Sequence, residues 1–393
     1  MSLPKRAAVV VIGGGVIGAS VAHHLAARGV DDIVVLDRAD RLGLGSTGKA
    51  TGGFRAQYGT AINVRLSLLA RESLIRFEEE TGVDPGYERA GYLWLASSGA
   101  ALAALDDANR MQRDEGLLEA AMVSPEEIAR INPSVALDGV VGGAFSPTDG
   151  FIRPLAMLEG YRAAAERRGA RFVWGAEVVG LRADAGGHRV LAVECTNGQI
   201  ECDAVVNAAG AWAKAVAAMA GVELPVEPLR RQVLPTVPTD ALPATMPMTI
   251  WAEDGYHLRE RDGRALLLWP SPAAPGRPYE TAVDPAWMDE VAARTRRRVP
   301  ALVGVAVDRA AAWGGLYEIS PDKHAILGRA LTCENFYLAN GSSGHGVMHA
   351  PALGQLLAEI MTGADGRATT LDVHALRPSR FAEAEAIEGP ALL

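Results

Sequence analysis

Gly13, Gly15 and Gly18, in the run Gly13-Gly14-Gly15-Val16-Ile17-Gly18, have the spacing that lets backbone approach a pyrophosphate. The first permits a tight turn, the second admits the phosphates, and the third lets a helix pack closely on a strand. Asp37 follows at the end of the next apolar run, where a carboxylate can accept from ribose hydroxyls. An acid at that place disfavours a 2′-phosphate, so these residues fit a dinucleotide other than NADP. Without a ligand the same pattern is simply a tight strand-to-helix turn. His345 and His349 are four apart and share a helix face, a spacing that suits a metal. No Glu follows His345 and no third ligand is evident, so no metal site is expected.

The elements that must position these residues are legible around them. Ala7 to Ile12 is a short β-branched apolar run, the pattern of a strand buried on both faces. A helical pattern from Val16 to Arg28 ends at Gly29, and Ile33 to Leu36 is a second buried strand, giving a β-α-β opening and a parallel sheet. A Gly, Ser and Thr-rich loop from Leu42 to Gly59 precedes a helix over 62–80. Ser124-Pro125-Glu126-Glu127 is a capping box that starts a short helix, and another runs from Pro154 to Arg168. Strands are expected at 171–174, 178–183, 190–194 and 204–207, then a helix over 211–220. Eleven of the 22 prolines lie between Pro225 and Pro285, which suits an antiparallel sheet with edges. The chain returns to pattern with a strand at 336–339, the glycine segment 341–346 and a last helix to Met361.

Composition bounds the partners. A 393-residue chain with 49% hydrophobic and 22% charged residues is an ordinary globular protein, not a disordered one. A net charge of −9 argues against nucleic acid as the main partner, and no apolar run approaches the length of a membrane span. Cys195 and Cys202 bracket a turn and could face each other, but three scarce cysteines read better as buried thiols in a reducing, cytoplasmic setting. Glycine is in excess, and 13 of the 43 fall in the segments 13–18, 43–59 and 341–346.

Further motifs are Gly43-Leu44-Gly45-Ser46-Thr47-Gly48-Lys49-Ala50-Thr51-Gly52-Gly53-Phe54-Arg55, Val205-Val206-Asn207-Ala208-Ala209-Gly210-Ala211-Trp212, Gly314-Gly315-Leu316-Tyr317-Glu318 with Ser320-Pro321-Asp322, and Gly341-Ser342-Ser343-Gly344-His345-Gly346-Val347-Met348. With these the chain, from about Ala7 to Met361, resembles the FAD-dependent oxidoreductases of the D-amino-acid oxidase class, nearest to sarcosine oxidase, glycine oxidase and related dehydrogenase subunits. The resemblance implies an α/β fold with an α+β second domain. In it a Rossmann-like FAD/NAD(P)-binding domain (1–85, 150–222 and 323–393) interleaves with a mixed, largely antiparallel substrate domain (86–149 and 223–322). It implies that Gly13, Gly15, Val16, Ile17, Gly18, Asp37 and Arg38 hold the ADP half of FAD. Gly45, Ser46, Thr47, Lys49, Thr51 and Gly52 then follow the pyrophosphate towards the flavin, with Val178 near the adenine. Ala209, Gly210 and Trp212 pass beside the cofactor, and Gly341, Ser343, Gly344, His345, Gly346, Val347 and Met348 bring N–H groups to the flavin ring.

By the same resemblance Arg55 clamps the substrate carboxylate, Tyr317 contacts the substrate, and Tyr256 and His257 lie on a strand lining the pocket. Met348 stands where a second carboxylate-binding cation is found, and Leu267 where an oxygen-activating lysine is found. Gly315 and Lys49 replace the Cys and His that attach flavin in some relatives, so the FAD is expected to be non-covalent. The implied reaction is dehydrogenation of the C–N bond of a small amino acid, glycine-like or N-substituted, to an imine that hydrolyses to amine and oxo acid. Oxygen, reduced to peroxide, or another electron acceptor such as a quinone or partner flavin completes the cycle. A flavoprotein acting on a non-amine is the third reading, and homo- or hetero-oligomers remain open.

Overall fold

In a computed structural model, residues 3–271, 277–363 and 369–389 are described; the stretch 272–276 of the proline-rich segment lies outside them. The strand Arg6–Ile12 sits at the centre of an eight-stranded sheet in the order Ile326–Arg329, Phe336–Asn340, Gly198–Asn207, Arg6–Ile12, Ile33–Leu36, Arg171–Val173. From Phe336–Asn340 to Arg171–Val173 these pairings are all parallel. Val10, Val11, Val34 and Val35 are buried, as the unbroken apolar runs require of strands covered on both faces. Val178–Ala183 and Val190–Cys195 add an antiparallel extension.

Four helices build the layer on one face: Val16–Ala27, Ala61–Thr81, Pro154–Arg167 and Gly346–Thr362. The first and last pack side by side, with the Ser20 hydroxyl donating to the Ala350 carbonyl at 2.7 Å. Gly354 makes this approach possible, because a methyl group there would overlap Ser20. The capping box forms as its sequence implies: the Ser124 hydroxyl accepts from Glu127 N–H and the Glu127 carboxylate from Ser124 N–H.

A second eight-stranded sheet runs Trp313–Ile319, Glu227–Pro235, Arg264–Leu268, His257–Arg261, Met248–Trp251, Tyr92–Ala96, Gly142–Ser146, Ala121–Val123. It is antiparallel except where Met248–Trp251 runs parallel to Tyr92–Ala96. A two-stranded ribbon, Gly53–Phe54 with Gly150–Phe151, lies apart from both.

Three features depart from the sequence expectations. The loop 42–59 contains a one-turn helix, Ser46–Lys49, and the short strand Gly53–Phe54, because tertiary hydrogen bonds order a segment with no periodicity of its own. The strand expected at 204–207 starts at Gly198, since its first half is paired by Val190–Cys195. Strand Tyr92–Ala96 and helix Gly99–Asp114 had no counterpart in the pattern reading. Cys195 and Cys202 are buried unpaired thiols, as expected from the sequence: Cys195 lies opposite Gly198 while Cys202 lies beside Ala7.

The segment Ser320-Pro321-Asp322 is an anchor. The Asp322 carboxylate takes two bonds from the Arg380 guanidinium, at 2.8 and 3.0 Å, and both side chains are buried. It also accepts from the N–H groups of His324 and Ile387.

Gly18 is where the opening turn is tightest. A Cβ there would overlap the Gly13 carbonyl oxygen, which cannot move without opening the turn. Gly18→Ala is therefore expected to cost about 2–3 kcal/mol by overpacking and lower the thermal midpoint by about 5 °C. Gly45→Ala, at a position with open space, leaves the midpoint unchanged in the same melt.

Candidate functional site

All the candidate site residues except Gly18, Gly341 and Tyr256 line one cavity of about 660 Å³. Gly18 acts through packing, as above. Gly341, with φ of +69°, sits against Ile326 and Ser320 and shapes the loop from outside the cavity. Tyr256 is turned into the core of the second sheet, its hydroxyl 2.7 Å from that of Thr295. Its neighbour His257 faces the cavity instead, because adjacent residues on extended chain point to opposite sides.

At one end the glycine turn is built by its neighbours. Gly14 N–H donates to Asp37 Oδ2 at 2.7 Å and Ala39 N–H to Oδ1 at 2.8 Å, so the carboxylate also fixes the glycine turn itself. Burial raises the Asp37 pKa, and the N–H groups of Ala39 and Gly14 act in the opposite direction. The Thr47 hydroxyl accepts from Val16 N–H at 3.1 Å, tying the one-turn helix to the start of Val16–Ala27. Ser46 donates to the Leu316 carbonyl at 2.7 Å. Arg38 stacks over Trp212 at 4.8 Å, and Trp212 stacks in turn on Tyr279.

Helix Val16–Ala27 has no side-chain cap at Gly15 and no acid in its first turn, and its first residues line the cavity. Helix Gly346–Thr362 is likewise uncapped by His345, and Gly346, Val347 and Met348 line the same cavity. Two helix starts that their own N-cap residues leave uncapped therefore open on one cleft, and both favour negative charge there. Gly13 (φ +109°) and Gly344 (φ +95°) hold conformations that a side chain would strain; a Cβ at Gly344 would strike the Tyr317 ring. These features fit FAD: its pyrophosphate at the first helix, and the reduced flavin's charge at the last.

The other end carries different chemistry. Arg55 is buried, 4.2 Å over the Tyr58 ring and 5.2 Å from Trp94, and donates to the Gln57 carbonyl. The Tyr58 hydroxyl meets Met348 Sδ at 2.9 Å, which fixes the thioether at the cavity wall. His257 Nδ1–H donates to the Gly255 carbonyl at 2.8 Å, leaving Nε2 as an acceptor. Burial and then the Arg55 and Arg231 charges push the His257 pKa down to about 4, so the ring is neutral at pH 7. Burial also raises the Tyr317 hydroxyl. His345 and His349 pack on Tyr58, and His349 Nε2 lies 2.8 Å from Ser67 Oγ, so these histidines serve the wall. Among the described residues no group of three His, Cys, Asp or Glu side chains is placed to hold a metal.

Sequence reasoning missed Arg231, Tyr92 and Gln232, which also line the cavity, and Tyr58 behind it. Arg231 follows another arginine in a strand with no motif, so nothing local separates it from a surface charge. Leu267, set by resemblance beside the flavin, is buried in the second sheet's core; the cavity neighbour on that strand is Leu268, equally apolar.

The family model described as "DAO: FAD dependent oxidoreductase" matches residues 8–360. The FAD-dependent oxidoreductase domain-containing protein 1 of Bos taurus is 30% identical, over 96% of this chain and 85% of that protein. Mitochondrial dimethylglycine dehydrogenase of Homo sapiens is 29% identical over 96% of this chain, which spans only 44% of that protein. Among solved structures, L-proline dehydrogenase from P. horikoshii superposes with a TM-score of 0.90 at 29% identity, covering 98% of this chain and 100% of that one.

Glu318, also on the cavity wall, supplies a pH test. Burial raises its pKa from an ordinary 4.5 to about 7; Oε1 accepts from Ser342 N–H at 3.4 Å, while Oε2 has no partner among the described residues. The fold favours the neutral acid, so this stability is fully present below about pH 4.5 and is lost as pH rises through about 7. Glu318→Gln cannot ionise. At pH 8.5 it should be more stable than wild type by about 2–3 kcal/mol, and at pH 4 equal to it. Thermal midpoints at matched flavin content read the difference; equal gaps at both pH values would refute the assignment.

Proposed function

Because the chain belongs to the DAO family of FAD-dependent oxidoreductases, we propose that it oxidises the C–N bond of a small amino acid carrying a substituted nitrogen. The observation that carries this reading is that Arg55, His257 and Tyr317 share one cavity with the glycine turn and both uncapped helix starts. Dimethylglycine and proline, in the names of two relatives, are amino acids whose nitrogen bears more than one carbon, which agrees with it.

Bound FAD supplies the hydride acceptor. The protein supplies orientation. Arg55, rigid between Tyr58 and Trp94, takes the substrate carboxylate and so fixes where the α-carbon lies. His257 Nε2, neutral across the working pH range, accepts from the amine N–H and directs the nitrogen lone pair. The Tyr317 hydroxyl, held protonated, donates to a carboxylate oxygen. Tyr92, Ile250 and Met348 line the cavity with apolar surface that excludes water from the reacting carbon.

Gly315 and Lys49 stand where some relatives attach the flavin, and the three cysteines are buried outside the cavity, which supports a non-covalently held FAD. Three unpaired thiols suit a reducing compartment such as the cytoplasm. Residues 1–85, 150–222 and 323–393 form the cofactor domain in this reading, and 86–149 with 223–322 form the substrate domain. The strand Arg264–Leu268 offers the cavity only apolar side chains near the flavin, which favours an acceptor other than oxygen.

Arg55→Met should weaken carboxylate substrates by about 3 kcal/mol, roughly a hundredfold in KM, with flavin content unchanged. Loss of flavin instead would assign Arg55 to the cofactor. Heat denaturation should release all the flavin into the supernatant, and a yellow pellet would contradict the non-covalent reading. With substrate present, a quinone or dye should turn over at least about tenfold faster than oxygen, measured as dye bleaching against peroxide release.

A further inference from the structure

We propose that Arg231 is a second substrate-reading cation, and that the substrate carries a second acidic group besides the carboxylate assigned to Arg55; this rests on the amino-acid reading above. The strand Glu227–Pro235 pairs antiparallel with Trp313–Ile319, placing Arg231 opposite Gly315 and Leu229 opposite Tyr317. Side chains alternate along each strand, so Arg231 and Tyr317 are diagonal neighbours on one face, and both line the cavity. The guanidinium lies 5.7 Å from the centre of the Tyr317 ring. Gly315 presents no side chain opposite it; the stem of Lys49 packs over Gly315 instead, and all three residues line the cavity.

Arg231 is half-buried yet forms no ion pair among the described residues, and its one hydrogen bond, to the adjacent Arg230 carbonyl, is a long 3.5 Å. The acids of the cavity wall are elsewhere. Asp37 and Glu177 stand at the glycine-turn end, and Glu318 falls on the opposite face of its strand from Tyr317. Of the cavity's cations, Arg38, Arg41, Lys49 and Lys323 are exposed, whereas Arg55 and Arg231 are sheltered. Both sheltered cations act on His257 and on Tyr317, so they bear on the same small space. Two guanidiniums, a neutral imidazole and protonated phenols leave that space strongly positive. One carboxylate answers Arg55. A second anionic group on the same molecule answers Arg231, relieving a desolvated charge that the protein itself leaves unpaired. The ligand chemistry is a dicarboxylate: an amino acid with an N-carboxyalkyl group or a short acidic side chain.

The test uses flavin-loaded protein and ligands that cannot be oxidised, reading binding as a shift of the flavin absorption band. Wild type should bind one of malonate, succinate or glutarate at least about tenfold more tightly than the monocarboxylate of equal length. Arg231→Met should abolish that preference, Arg231→Lys should retain part of it, and Arg55→Met should weaken both ligand classes. The proposal is overturned if wild type shows no preference, or if Arg231→Met weakens mono- and dicarboxylates equally, which would mean both arginines grip one carboxylate. If no carboxylate shifts the flavin band at all, the amino-acid reading falls as well. Flavin content and thermal midpoint of each variant establish that it is folded.

Discussion

A long anionic cofactor has to be met by N–H groups, and the structure depends on bringing two sets of them to one cleft. Helix Val16–Ala27 and helix Gly346–Thr362 come from opposite ends of the chain, yet both begin at the same cavity with no side-chain cap from their own N-cap residues, Gly15 and His345. A capping Ser or Asp would satisfy those donors locally and compete with the ligand. The two helices can start together only because they pack closely, with Ser20 reaching the Ala350 carbonyl and Gly354 leaving it room. The parallel strands beneath set the height of each start. Glycine then does in the loops what the missing caps do in the helices: it removes whatever would stand between backbone and ligand.

The opposite end of the cavity works by an inverse device. There the titratable side chains are deprived of charge by burial. His257 is pushed towards the neutral base and Tyr317 towards the neutral phenol. Guanidinium keeps its proton under the same conditions, so the field at that end belongs to Arg55 and Arg231. That end of the cavity therefore combines fixed cations with neutral hydrogen-bonding side chains.

Much of the cofactor end could be read in the sequence, because its requirements are local. A tight turn at Gly13, close packing at Gly18 and an acid at Asp37 each follow from neighbours a few residues away or one strand along. The finer role of Asp37 could not be read, since its bond to Gly14 N–H spans the turn. The substrate end was far less legible. Arg55 was found only through a family resemblance, and Tyr256 and His257 look equivalent until the pleat sends one into the core and the other to the cavity. Arg231 depends on a register between strands some 80 residues apart, and sequence carries no record of that pairing. The loop 42–59 is irregular by composition and ordered by partners far away, such as Leu316 for Ser46.

The Asp322–Arg380 pair binds more than two side chains. Its carboxylate also holds His324 and Ile387 N–H groups, and the guanidinium reaches the carbonyls of His324, Leu376 and Arg377. Opening any one of these contacts would strand a buried charge, at a cost near that of losing the whole cluster. The turn that follows Tyr317 and the segment 376–387 therefore open together or not at all. Opening of the turn beside the cavity is thereby coupled to the segment 376–387, so a wall of the cavity depends on residues remote from it in sequence.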